Sequence, residues 1–496
     1  MISRELKFIY WLIPILLFVL QAVYTFNSLN QIRYEELEES VVSPYWVQNG
    51  VVQNGASGNL GWHFLLVAVY NIFGFSLFAG KFVRLSLVLI SLFCLAAVLR
   101  KYLGEKGAFL PLLTIGLSPT LLYFNTQQTV YGIDLLYLPI ILYLVTKMDF
   151  GKKSGNLVWQ VLMWTLAMVA WMSYPTFIYY LPALLIFYLY KLRQSSGVKK
   201  PFFLIKNLST SGVFFLLPLI SAFIFIKNRN LLIYDENVGS GMFRGAGFVE
   251  LSLGRFLFNL KLNLVNLFQR SYGYYFEIKK VEFSDFYPIL VLFFIVFAIY
   301  KLWKKKPHLR IFILLALLIL ATNVFLAHFT IDSTPGMRRQ TGSLAAIYGL
   351  WVLAWYFAFS IRKGILKKVF LVALSLFLIH HLFVYGINLI HLKDPSQFRE
   401  TVWFKTTEDP NAILARYVSQ IQREDVKLMC SDESGQPLNC RYSEVFAVLS
   451  ASCLWNRLQC KGIYGYDLKT GDFLLLNIQL FNNYYFGRYG REIIAT

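Results

Sequence analysis

The sequence predicts an all-α polytopic membrane protein of about eleven spans with a small α/β domain at its carboxyl end. Three observations lead there. First, 57% of the 496 residues are hydrophobic and only 15% are charged, against about a quarter charged in soluble domains. Second, apolar runs long enough to cross about 30 Å of hydrocarbon recur along the chain. Third, the lysines and arginines fall in short clusters at every second connection between those runs, as the positive-inside rule requires.

The elements follow in order. Arg4 and Lys7 precede an apolar run without a convincing small-x-small cleavage site, which reads as a retained first span with a cytoplasmic basic flank. Further runs lie at 81–99, 107–124, 132–146, 157–173, 176–190, 203–226, 286–300, 309–329, 341–360 and 369–390, after the first at 8–26. Basic clusters at 100–106, 147–153, 191–200, 301–306 and 362–368 separate alternate pairs of runs. This pattern sets the amino terminus in the cytoplasm and the carboxyl terminus outside. The apolar segment Gly61 to Phe78 is followed by Lys81 and Arg84. Counting it as a span would put every later basic cluster outside, so it reads as an interfacial helix.

A transmembrane domain over 1–390 therefore carries outer loops at 27–80 and 227–285, and a second domain fills 391–496. The long second loop exceeds what a structureless connection usually needs. The tail alternates a helical pattern at Asp409 to Ile421, a β-like run at Val426 to Cys430, a helix near Ser443 to Leu454 and a β-like stretch at Phe473 to Ile478. Four of the five cysteines, Cys430, Cys440, Cys453 and Cys460, lie there, and two disulfides are expected of an exported domain, with the pairing open. Cys94 is an apolar filler in a span.

The formal charge of +20 is spent on the cytoplasmic clusters. No Arg-rich stripe, zinc-finger spacing or aromatic RNA-binding motif occurs, so no nucleic-acid partner is expected.

Ionisable residues near membrane depth are costly, and their positions are informative. Glu35 and Glu36 follow span one. Gln127, Gln128, Tyr131 and Asp134 lie at the turn from span three to span four, and His328, Asp332, Arg338 and Arg339 cap spans nine and ten. All fall on the outer side. Guanidinium forks there suit a lipid-borne phosphate. A carboxylate opposite can accept a proton from an attacking hydroxyl or hold a divalent cation. The same residues also admit plainer roles. The run Glu35 to Glu39 can be a solvated face, Arg338 and Arg339 interfacial anchors, His328 a packing residue, and Asp134 a helix-start residue.

The order of segments resembles the GT-C glycosyltransferases, in the branch of protein O-mannosyltransferases and lipid A aminoarabinose transferases. Tyr34-Glu35-Glu36 is similar to the family's first-loop acid pair, and the passage from Ile72 to Leu85, containing Lys81 and Arg84, resembles its "lfG-x-s-x-x-a-x-R-l" segment. Leu117 to Thr120 with Gln127 to Tyr131 resembles the "lsP … q-x-x-R-x-Y" turn, and Pro335 to Gln340 sits at the late outer turn. The resemblance covers roughly residues 1–390 and implies a bacterial-type inner-membrane enzyme. Its donor would be a polyprenyl-phosphate sugar, its acceptor a glycan, lipid or protein, and its mechanism inverting displacement. It further implies Glu36 as general base or ligand of a possible Mg or Mn ion, with Glu35 second. Lys81, Arg84, Gln127, Gln128, Tyr131, Asp134, His328, Asp332, Arg338 and Arg339 would serve substrate binding.

Departures are specific. Glu35 stands where the family commonly has Asp, Ser57 to Trp62 replaces a Pro-rich passage, and Thr129 replaces an Arg. Arg338 with Arg339, or Arg244 in the long loop, would substitute for that Arg. The competing classes are a polysaccharide polymerase or ligase, a transporter or flippase of lipid-linked sugars, and an inactive scaffold. A transporter would place its polar residues at mid-depth between inverted repeats, which the sequence lacks.

Overall fold

The computed structural model describes residues 4–27, 36, 38–48, 59–148, 156–193, 201–228, 252–269, 286–329, 340–361 and 364–391, with three short strands in the tail. Helices dominate, in the order α1 (Arg4–Asn27), a π-helix (Glu38–Val42), α2 (Ser43–Gln48), α3 (Leu60–Phe73), α4 (Ala79–Gly116), α5 (Pro119–Thr126), α6 (Ile133–Lys147) and α7 (Asn156–Ser173). A 3₁₀ turn (Pro175–Tyr179) leads to α8 (Leu181–Arg193), α9 (Pro201–Asn228), α10 (Leu253–Gln269), α11 (Phe286–Lys305), α12 (Arg310–His328), α13 (Thr341–Ser360) and α14 (Ile365–His391).

The outside of the bundle is apolar. Leu16, Val19, Val23 and Phe26 on α1, and Val372, Leu376, Ile379 and Phe383 on α14, are exposed at helical spacing. Each would forgo roughly 1.5–3 kcal/mol of burial if water surrounded it, so these stripes face lipid. Five helical segments among the described residues are long and apolar enough to cross a membrane: Phe8–Phe26, Ala79–Glu105, Ile205–Ala222, Arg310–His328 and Thr341–Ser360. The chain is a multi-pass membrane protein.

Two expected runs take a different form. The runs at 81–99 and 107–124 begin in one long helix, α4, whose direction breaks at Gly104, where φ is +71°. A left-handed backbone there suits glycine and lets the two legs fold back beside the basic residues. Arg100 pairs with Glu105 at 2.9 Å, and the Lys101 ammonium donates to the Thr146 carbonyl. The second leg stops at Gly116, and a separate helix starts with Ser118 as N-cap and Pro119 in its first turn. Proline lacks the N–H to continue a helix but fits its start, so the run at 107–124 is two helices and not one.

The segment read as interfacial forms α3, which ends at Gly74. Its 14 residues span about 21 Å at 1.5 Å per residue, too short to cross the hydrocarbon. Trp62, Leu66 and Tyr70 are buried in the largest apolar cluster, with Met163, Ala167 and Ala170 of α7 and Phe177 and Tyr180 beyond it.

In the tail, β1 (Val426–Met429), β2 (Gly462–Ile463) and β3 (Phe473–Leu475) pair in parallel in the order β2-β1-β3. The first and last fall in the two β-like stretches of the sequence. The two tail helices and the four tail cysteines lie outside the described residues, while Cys94 is a free thiol in α4.

Candidate active site

The polar residues of the first loop meet those of the 127–131 turn at one end of α4. The side chains of Glu36 and Lys81 are both about 2% exposed, and the Lys81 ammonium stands 3.7 Å from Glu36 Oε1. The same oxygen accepts the Gln128 backbone N–H at 2.9 Å. Burial of either charge alone would be costly, and the ion pair with its extra hydrogen bond offsets that cost. Next along the loop, Ser40 donates its hydroxyl to the Gln128 carbonyl, and Tyr70 of α3 donates to the Ser40 carbonyl at 2.6 Å. Gly80 makes this approach possible. A Cβ there would stand 2.6 Å from Ser40 Oγ and 2.7 Å from Gln128 Cβ.

One turn further along α4, the fully buried Arg84 donates to the backbone carbonyls of Thr129 and Tyr131. Its guanidinium lies in the field of the Asp134 and Glu36 carboxylates. Asp134 opens α6 after Gly132 and is fully buried. Its Oδ2 accepts hydroxyls from Thr341 at 2.5 Å, Thr176 at 2.9 Å and Tyr180 at 3.2 Å. Three separate elements, the 3₁₀ turn, the start of α8 and the start of α13, are thereby tied to one carboxylate. Glu36, Lys81, Arg84 and Asp134 together form a formally neutral set of two carboxylates and two cations.

The structure thus brings Glu36, Lys81, Arg84, Gln127, Gln128, Tyr131 and Asp134 to one end of the bundle. Gln127 accepts the Thr129 hydroxyl at 3.3 Å, and the Tyr131 ring meets Tyr174 edge-on with centroids 5.8 Å apart. Arg84 and Asp134 bond protein groups, which makes them organisers of the turn. His328 ends α12, its Nδ1 2.6 Å from the Val324 carbonyl of its own helix and its ring against Phe256 of α10. Asn259 of α10 donates to the His328 carbonyl at 2.9 Å. Glu35, Arg244, Asp332, Arg338 and Arg339 lie outside the described residues. No three His, Cys, Asp or Glu side chains converge as metal ligands among the described residues. An ammonium already neutralises Glu36, so this set does not fit a divalent cation at that carboxylate.

Sequence reasoning missed a second constellation in the first loop. Glu39, in the π-helix, accepts Asn59 Nδ2 at 2.9 Å on Oε1 and 3.1 Å on Oε2, and its Oε2 lies 2.9 Å from His63 Nε2. The available signal was Asn59 itself, an N-cap residue by type placed directly before α3, with His63 one turn on. An apolar cavity of about 240 Å³ also lies inside the bundle, lined by residues of α4, α6, α8, α12 and α13, including Leu99, Leu138, Phe187, Phe312, Tyr348 and Gly349.

A helical membrane bundle whose charged residues are knotted at one end of its helices is the class that this fold defines. Solved structures with a similar fold include two of ArnT. ArnT from Cupriavidus metallidurans bound to undecaprenyl phosphate matches over 91% of this chain and 86% of its own, with a TM-score of 0.51 at 12% identity. The apo state of ArnT from the same organism matches over 92% and 86%, with a TM-score of 0.52 at 12% identity. No protein-family model and no curated protein sequence matches the chain. The fold is thus the one that the sequence resemblance implied.

Proposed function

We propose that this protein is an integral membrane glycosyltransferase that moves a sugar from a polyprenyl-phosphate donor to an extracytoplasmic glycan, lipid or protein. The observation that carries the reading is the shared fold, along nine-tenths of the chain, with an ArnT structure holding undecaprenyl phosphate. The apolar cavity inside the bundle supports it, since an isoprenoid chain needs a dry, apolar path. About eleven spans, a cytoplasmic amino terminus, an inner-membrane location and an extracytoplasmic α/β domain over 391–496 belong to the same reading.

In the proposed reaction the acceptor hydroxyl attacks the anomeric carbon as the bond to the phosphate oxygen breaks. The electron pair leaves on the phosphate, and a first-loop carboxylate takes the hydroxyl proton. Arg338 and Arg339 are the proposed phosphate clamp.

Full-chain protein in nanodiscs, incubated with undecaprenyl phosphate, tests the donor. Native mass spectrometry should show a one-to-one lipid adduct, and radiolabelled undecaprenyl-phosphate mannose, glucose or aminoarabinose should lose sugar to added acceptor or water. Absence of the adduct would remove the transferase reading.

A further inference from the structure

Two carboxylates of the first loop are described, and their surroundings differ. Glu36 is shut in, with Lys81 and the Gln128 N–H on the same oxygen. Glu39 keeps about 12% of its side chain exposed, while the His63 side chain beside it is fully buried. A carboxylate offers about four lone-pair sites. Asn59 takes one on each oxygen and His63 one more on Oε2, so Oε1 keeps one free among the described residues.

The scaffold round Glu39 is unusual in two ways. Asn59 sits at the N-cap position of α3 yet makes no side-chain cap. It forgoes about 1 kcal/mol of local helix stabilisation and spends both contacts on Glu39. Glu39 itself lies in a π-helix of five residues, a conformation that is rare and frequent at functional sites. His63 Nδ1 is buried with no partner among the described residues. Its other ring nitrogen, Nε2, lies 2.9 Å from Glu39 Oε2, so the ring holds that carboxylate oxygen in place.

We propose that Glu39 is the catalytic base of the transfer, with His63 and Asn59 as positioning residues and the Glu36–Lys81 pair as a structural brace. The inference rests on the glycosyltransferase reading. The acceptor hydroxyl gives its proton to Glu39 Oε1 while its oxygen bonds the anomeric carbon, and the sugar–phosphate bond breaks with its electrons on the phosphate. His63 holds Oε2 and so fixes the free lone pair of Oε1 toward the acceptor.

The test uses full-chain protein in nanodiscs and whichever radiolabelled undecaprenyl-phosphate sugar the parent turns over. Glu39→Gln should lower kcat by at least about 100-fold, the range for loss of a general base, while undecaprenyl phosphate still binds within about twofold of the parent. Glu39→Asp should restore part of the rate. His63→Ala should lower kcat with KM little changed, and His63→Gln, which keeps a donor, should recover much of the loss. Turnover by Glu39→Gln within about threefold of the parent overturns the assignment of Glu39 and leaves the transferase reading standing. A parent that binds no undecaprenyl phosphate overturns both.

Discussion

The Lys81 ammonium faces the Glu36 carboxylate across 3.7 Å, with both side chains closed off from solvent. The pair joins the first loop to the start of α4, and its worth lies in the penalty for losing one member. Lys81→Met would leave a buried carboxylate uncompensated and is expected to cost about 3–5 kcal/mol. Thermal unfolding in detergent checks it. The double variant Lys81→Met with Glu36→Gln should regain most of that loss, because no lone charge remains.

Gly80→Ala drives a methyl group into Ser40 Oγ and Gln128 Cβ. Overpacking of this kind typically costs about 1–3 kcal/mol, so the melting temperature should fall. Ser40→Ala in the same chain removes one of the two clashing atoms and should recover part of the loss.

Asp134 gathers three hydroxyls from three elements. Replacing Thr176 or Thr341 by Val is expected to cost about 1.5–3 kcal/mol each, as for hydrogen bonds to a charged group. Because both bonds end on one oxygen, a double-mutant cycle on stability should show coupling beyond additivity. Strict additivity would mean that the carboxylate does not join them.

Gly349 lines the apolar cavity with Tyr348 and Phe312. Gly349→Leu places a branched side chain where the lipid chain is proposed to run. Binding of undecaprenyl phosphate should weaken at least about tenfold, or roughly 1.4 kcal/mol. The melting temperature of the lipid-free protein should change little. Native mass spectrometry with a lipid titration reads both states.

Much of this was legible in the sequence for a simple physical reason. Apolar runs and basic clusters are what the bilayer itself reads, so α6 to α9 and α11 to α14 fall close to the expected runs, while α10 lies in the stretch 227–285 read as an outer loop. That the segment of α3 is not a span followed from charge order, and its 14 residues are too few to cross. The break at Leu117–Ser118 was harder, since the apolar run continues through it and only the Ser-Pro step marks the new start. The site divided the same way. Lys81 and Asp134 stand out as charged residues beside apolar runs, and Glu36 and Gln128 as members of short polar runs at the ends of spans. Their partners did not, because Thr176, Tyr180 and Thr341 look ordinary until the chain folds three distant segments together. His63 was hidden inside an apolar helix, and Glu39 among neighbouring acids, until the π-helix and Asn59 singled it out.

Arg84 holds the main chain at residues 129 and 131 from 45 and 47 positions away. The bend is set by peptide oxygens, which every residue type supplies. The side chain at 129 adds only local bonds within the turn, to Gln127 Oε1 and the Tyr131 N–H, so the corner is not anchored through it alone. A lineage could then exchange a guanidinium for a threonine there and retune which cargo it accepts, with no need to rebuild the corner that carries it.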